Sequence, residues 1–95
     1  MKIDGVTWLP DVVDKLASKH HVDTAEVEEV VLDDRPKFRF VEKGRRTGED
    51  VYMALGQTDA GRYLAVLFIY KGTKEALPLS ARDMAPKERK RYGKK

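Results

Sequence analysis

The hydrophobic pattern of this chain turns from helical to alternating at Asp33-Asp34-Arg35-Pro36. That switch excludes an all-helical bundle and an all-β sandwich alike. On its N-terminal side, Val13, Leu16, Ala17 and His20 recur at i, i+3, i+4 and i+7, the spacing of a helix face. Trp8-Leu9-Pro10 opens this helix. Pro10 suits a first helical turn, and Asp11 suits the positive end of the helix dipole. His21-Val22 breaks the pattern. Asp23 then caps a second helix, with Glu26 as its capping-box partner three residues on. Val27, Val30 and Val31 form its apolar stripe, and Glu26, Glu28 and Glu29 are expected to face outward. Pro36 ends the run, because the residue before a proline is driven away from helical angles.

Beyond Pro36 the period is two. Phe38, Phe40 and Glu42 point one way, and Lys37, Arg39 and Val41 the other. A polar loop, Lys43-Gly44-Arg45-Arg46-Thr47-Gly48, leads to a second strand in which Val51, Met53 and Leu55 alternate with Tyr52 and Ala54. Gln57-Thr58-Asp59-Ala60-Gly61 has hairpin length. Arg62 to Tyr70 is nearly all apolar, which predicts a central strand covered on both faces. After the turn Lys71-Gly72-Thr73-Lys74, Leu77, Leu79 and Ala81 mark a fourth strand. Pro78 cannot donate to a ladder, so it signals an edge or a bulge. Asp83 to Tyr92 reads as a short charged helix, and residues 93–95 as a frayed basic tail. The expected fold is α+β: two N-terminal helices, a four-stranded antiparallel sheet and a C-terminal helix, in one domain spanning residues 1–95.

Composition narrows the chemistry. There is no cysteine, so neither a disulfide framework nor a thiolate metal site is available. No apolar run approaches the roughly 20 residues of a membrane helix, and Met1-Lys2-Ile3-Asp4-Gly5 lacks the apolar core of a signal peptide. The expectation is a cytoplasmic protein with no membrane partner. The net charge of +3 is unevenly spread. Residues 1–34 carry three basic residues against nine acids, and residues 35–95 carry sixteen against seven. The basic part is a candidate footprint for nucleic acid; a solvated surface is the plainer reading.

Several segments together form a family pattern. They are Trp8; Lys19-His20 before Val22; Gly48-Glu49-Asp50-Val51-Tyr52-Met53-Ala54-Leu55-Gly56-Gln57-Thr58; Gly61-Arg62-Tyr63-Leu64-Ala65-Val66; and Ser80-Ala81-Arg82 followed by Glu88-Arg89 and Tyr92. In this order and spacing the chain resembles the BrnT toxins of bacterial toxin–antitoxin pairs. The resemblance implies a RelE-like microbial ribonuclease fold, an endoribonuclease activity that arrests growth, and a BrnA-like antitoxin that binds the toxin. It leaves open whether the ribosome takes part and whether the antitoxin builds a larger oligomer. Two positions depart from the pattern: His21 stands where the family has glycine, and Leu9 where it has an acid.

Cleavage by the 2′-hydroxyl of RNA needs a proton acceptor, cations for the phosphate and a proton for the leaving oxygen. No metal is expected, because the two histidines are adjacent and the acids scattered; no cofactor motif is present. In a simple meander, Lys37, Arg62 and Arg82 fall at one end of the sheet, where arginine forks suit phosphate oxygens. His20 is a candidate base, or else a hydrogen-bonded residue at the edge of the core. Glu49 is a second candidate, although a meander puts it at the far end of its strand. Tyr92 and Glu88 share a face of the last helix. Tyr92 either handles a proton or packs, and Glu88 either does chemistry or braces Arg82. Lys87, Arg89 and Arg91 are candidate RNA contacts. A non-catalytic RNA- or ribosome-binding module, or an interaction domain that has lost cleavage, would carry many of the same residues.

Overall fold

The computed structural model describes residues 1–33, 35–44 and 48–93. The expected loop at 43–48 and tail at 93–95 fall partly outside them. Pro10–Lys15 forms helix α1, which continues as a π-helical turn over Leu16–His20. The wider turn shifts the face that regular helical spacing predicts. Leu16 is buried and Val12 packs on the core, whereas Ala17 is exposed and His20 half-buried. Ala17 is therefore not a core residue. His21 closes the turn in the left-handed region, φ 52° and ψ 41°, with its N–H donating to the Leu16 carbonyl. Helix α2, Thr24–Val31, begins at the expected capping box. The Glu26 N–H donates to Asp23 Oδ1 at 3.0 Å, and the Asp23 N–H donates to Glu26 Oε1 at 3.2 Å. Val27, Val30 and Val31 are fully buried.

Strands β2 (Lys37–Glu42), β3 (Glu49–Gln57), β4 (Tyr63–Lys71) and β5 (Glu75–Asp83) form the expected antiparallel meander. A fifth strand, β1 (Gly5–Val6), pairs in parallel with the outer edge of β5, giving the order β1-β5-β4-β3-β2. Two residues are too few to carry a periodic signal, which is why the sequence pattern omits this strand. Pro78 lies at the register shift opposite Leu67/Phe68, and β1 covers β5 only at Glu75 and Ala76, so both readings, bulge and edge, hold.

The sheet has two unlike faces. Ala54, Leu64, Val66, Phe68 and Ala81 pack against Leu16, Val22 and the α2 valines, with Phe38 set edge-on to Phe68 at 6.0 Å. On the opposite face, Leu55 and Ala65 are buried with Met84 beneath helix α3, Pro86–Gly93. That helix covers only one end. Leu67 and Ile69 stay half-buried, so β4 is enclosed from Leu64 to Phe68 on one face and only partly on the other. The expectation of cover on both faces is corrected to that extent. Among the described residues no helix is long and apolar enough to cross a membrane.

Gly56 sets the spacing between α2 and the sheet. A Cβ added there would lie 2.7 Å from Val30 Cγ1 and 3.3 Å from Pro36 Cβ. The helix thus rests on the strand backbone itself. Gly56→Ala is expected to destabilise the fold by about 1–3 kcal/mol through overpacking. Urea unfolding should show a lower midpoint at unchanged slope; an unchanged midpoint would mean that α2 is not seated on β3.

Candidate active site

Strand register builds a row across the α3 side of the sheet. Lys37 pairs with Leu55, Leu55 with Ala65, and Ala65 with Arg82. Paired residues point to the same side, so two buried apolar residues under α3 are flanked by two cations. The next row runs Arg39, Met53, Leu67 and Ser80. Arg82 is locked in place. Its Nη1 donates to Glu88 Oε1 at 2.6 Å and its Nη2 to Oε2 at 2.8 Å, a bidentate pair across the start of α3. The Ala85 N–H donates to the same carboxylate at 2.8 Å. Hydrogen bonding from Arg82 holds the Glu88 carboxyl below its ordinary range; burial opposes this, and the Ala85 N–H adds to it. The sequence left Glu88 with two readings, and its position matches the brace.

Helix α3 adds cations beside this row. Lys87, Arg89 and Arg91 are exposed. The Arg89 guanidinium carbon stands 4.2 Å above the centre of the Tyr63 ring. Tyr92 meets Tyr63 edge-on at 6.0 Å and packs on the Leu55–Ala65–Met84 cluster. Lys37 Nζ donates to the Arg91 carbonyl at 3.0 Å, tying the edge strand β2 to the end of α3. Lys37, Arg82, Tyr92, Lys87, Arg89 and Arg91 thus belong to one side of the protein.

Three other sequence candidates lie elsewhere. Arg62 does not join Lys37 and Arg82, because it precedes β4 at a position that faces the helices. Its Nε donates to Asp83 Oδ1 at 2.7 Å. Its Nη1 donates to the His21 carbonyl at 2.8 Å and to Glu26 Oε1 at 3.1 Å, and its Nη2 to the His20 carbonyl at 3.3 Å. All three cations lie at one end of the sheet as expected, but Arg62 faces the helices and so does not share a face with Lys37 and Arg82. Arg62 instead fastens the α1–α2 turn to the sheet, and its hydrogen bonds hold the Asp83 carboxyl low against burial. His20 sits on that same helix side, away from Arg82, and its side chain makes no hydrogen bond among the described residues. Glu49 lies at the opposite end of β3 and pairs with Lys71 at 3.0 Å. Nor do the α2 glutamates simply face solvent: Glu28 accepts from Trp8 Nε1 at 3.2 Å and Glu29 from the Asp59 N–H at 3.0 Å.

A cleft of about 300 Å³ opens beside Tyr92, between the end of α2 and the β3–β4 turn. Arg35, Pro36, Gln57 and Asp59 line it. Sequence reasoning read Arg35-Pro36 as a helix stop and Gln57-Thr58-Asp59 as a turn, and nothing in their spacing shows that these two distant segments meet. Among the described residues no three His, Asp or Glu side chains gather so as to hold a metal ion.

The family model described as the ribonuclease toxin BrnT of type II toxin–antitoxin systems matches residues 8–88. The chain belongs to the BrnT family. Its fold is similar to the crystal structure of the Brucella abortus ribonuclease toxin BrnT, with a TM-score of 0.62 and 19% identity over 85% of this chain and 96% of that one. No curated protein matches the chain. BrnT membership implies an antitoxin partner and an RNA substrate.

Both departures from the BrnT pattern now have a physical meaning. His21 adopts the left-handed conformation that glycine takes without cost, so the turn survives the substitution. Leu9 occupies the N-cap of α1, where no side-chain cap bond is made; an acid there would supply one. Leu9→Asp is expected to stabilise the protein by about 0.5–1 kcal/mol; a lowered thermal midpoint would refute this account of the missing cap. The ion pairs also set a pH response. Glu88 and Asp83 have folded values below their ordinary 4.5 and 3.8. The stability they contribute is therefore present above those ordinary values and lost as pH falls through the lowered ones. Glu88→Gln should flatten that acid loss in thermal scans between about pH 5 and pH 2, relative to the parent chain.

Proposed function

We propose that this BrnT-family chain acts as a single-domain, metal-independent endoribonuclease in the cytoplasm, and that its RNA lies on the α3 side of the sheet with the scissile phosphate at Arg82. The observation that carries this reading is the row Lys37–Leu55–Ala65–Arg82 flanked by the cations of α3. A preoriented guanidinium is suited to charge that develops on phosphate oxygens. The acidic N-terminal segment, residues 1–34, lies on the other side and would repel the strand.

In the proposed reaction the 2′-hydroxyl attacks the neighbouring phosphorus and the bond to the 5′-oxygen breaks. Arg82 stabilises the negative charge of the crowded phosphorus. Glu88 is a positioning residue that aims Arg82; held ionised and weakly basic, it is a poor acceptor, and the hydroxyl proton passes to water. Of the three proton-handling candidates, only Tyr92 shares a side with Arg82. It stands one helical turn beyond Glu88, about 6 Å along α3. We assign its hydroxyl to protonate the leaving 5′-oxygen. His20, Arg62 and Glu49 are assigned no direct part. The antitoxin, BrnA-like, covers the same basic side and excludes RNA, so toxicity appears only when the partner is absent. Lys37, Lys87, Arg89 and Arg91 contact the RNA backbone.

Arg82→Ala is expected to lower RNA cleavage by about 10²–10³-fold, and Tyr92→Phe by about 10²-fold. His20→Ala should leave the rate within a few-fold. Growth and RNA integrity after induction in bacteria, with purified-protein cleavage rates and circular dichroism to confirm folding, measure this. The absence of any histidine facing Arg82 favours a second reading, a non-catalytic RNA-binding module. Tight RNA binding without cleavage by the parent chain would establish that reading and remove the first.

A further inference from the structure

The cleft beside Tyr92 has a chemistry of its own, distinct from the row of cations. Its Arg35 is held edge-on by Asp33. The Arg35 Nε donates to Asp33 Oδ1 at 3.1 Å, Nη2 donates to Oδ2 at 2.8 Å, and the Arg35 backbone N–H donates to Oδ1 at 3.1 Å. The pairing fixes the plane of the guanidinium while using two of its five N–H donors, and the side chain is 79% exposed. The flat face of the guanidinium is open to a ligand, as is its Nη1 end. Pro36 and Tyr92, each with a flat ring, are also among the lining residues. Planar groups around a slot suit a stacked nucleobase.

The rim of the slot presents acceptors. Gln57 Nε2 donates to the Gly61 carbonyl at 3.1 Å, which leaves its Oε1 for a ligand. The Asp59 carboxylate makes no hydrogen bond among the described residues, while the Asp59 N–H is anchored on Glu29. The turn that carries Asp59 is itself fixed, since the Thr58 N–H donates to the Arg62 carbonyl at 2.8 Å and the Gly61 N–H to the Thr58 carbonyl at 2.9 Å. An ionised carboxylate accepts only. Guanine offers it two adjacent donors, the ring N1–H and the exocyclic amino group. Adenine and cytosine set an acceptor beside their amino group, and uracil has a single donor flanked by two carbonyls.

We propose that this cleft is a guanine-selective subsite for the RNA strand. Arg35 and Tyr92 stack the base, and Asp59 reads its Watson–Crick edge. The proposal rests on the ribonuclease reading of the adjoining face, and Tyr92 joins the two. Its hydroxyl belongs to the cleavage step and its ring to the wall of the cleft. A guanine seated there would fix which nucleotide stands beside Arg82, so Asp59 would set sequence preference without touching the scissile phosphate.

The test uses the full chain and four mononucleotides, 5′-GMP, AMP, CMP and UMP, followed by amide NMR. Short single-stranded oligonucleotides holding one guanine or one adenine and carrying 2′-deoxy sugars to block cleavage form the second arm. Expected are shifts at Gln57, Thr58, Asp59 and Gly61, a preference for GMP over AMP of tenfold or more, and its loss in Asp59→Asn. The guanine oligonucleotide should bind more tightly than GMP, because its flanking phosphates meet the α3 cations. Equal binding of all four nucleotides, shifts elsewhere, or an undiminished preference in Asp59→Asn would overturn the proposal. GMP binding as tightly as the oligonucleotide would overturn RNA as the ligand and point to a free nucleotide. The two readings fail separately. Guanine selectivity without cleavage keeps the subsite and removes the nuclease, whereas cleavage with no guanine preference keeps the nuclease and removes the subsite.

Discussion

The register of β3, β4 and β5 is the constraint on which the rest of this molecule depends. Side chains alternate with a period of two, so a slip of one residue would exchange the two faces of the sheet. In the register observed, Ala54, Val66 and Ala81 stand beneath the helices, and Leu55, Ala65 and Arg82 stand on the side of α3. The β3–β4 turn fixes it with hydrogen bonds that include Arg62 N–H to Thr58 Oγ1 at 3.0 Å. The bulge at Pro78 lets β5 absorb one extra residue, so that Ala81 and Arg82 meet their partners on the correct faces.

Charge is sorted by the same alternation. Arg62 and Arg82 both lie at one end of the sheet, but they face opposite sides. The first is consumed by Glu26, Asp83 and two backbone carbonyls and acts as a fastener for the helical hairpin. The second is oriented by the Glu88 carboxylate and the Asp83 carbonyl and remains partly open to solvent. Two arginines of equal appearance in the sequence thus have different fates, decided by whether acids from α2 can reach them. Removing the acidic partners of Arg62 would loosen the hairpin, whereas removing Glu88 would leave Arg82 in place but undirected.

Much of the fold was legible before any coordinates. The capping box at Asp23, the α2 valine stripe, the four-strand meander and the bulge option at Pro78 each follow from residue chemistry over a few positions. Three features were not. The π-helical turn at Leu16–His20 changes the helix phase without any proline or glycine to announce it. Strand β1 consists of two residues whose pairing depends on where β5 ends up. The direction of Arg62 depends on α2, which is far from it in the chain. The candidate site divides in the same way. Arg82, Tyr92 and the α3 cations were found from their order and spacing, whereas the cleft of Arg35, Gln57 and Asp59 has no signature in the sequence.

The sequence by itself determined the element types, the antiparallel order and the BrnT pattern, because these rest on local spacing and on motifs read along the chain. Only the tertiary structure decided which candidates share a surface. It separated His20, Arg62 and Glu49 from Arg82, joined Lys37 to the end of α3 and opened the cleft beside Tyr92. The physical reason is that proximity between distant residues depends on register and on close packing such as that of Val30 on Gly56, and neither leaves a periodic trace in the order of the amino acids.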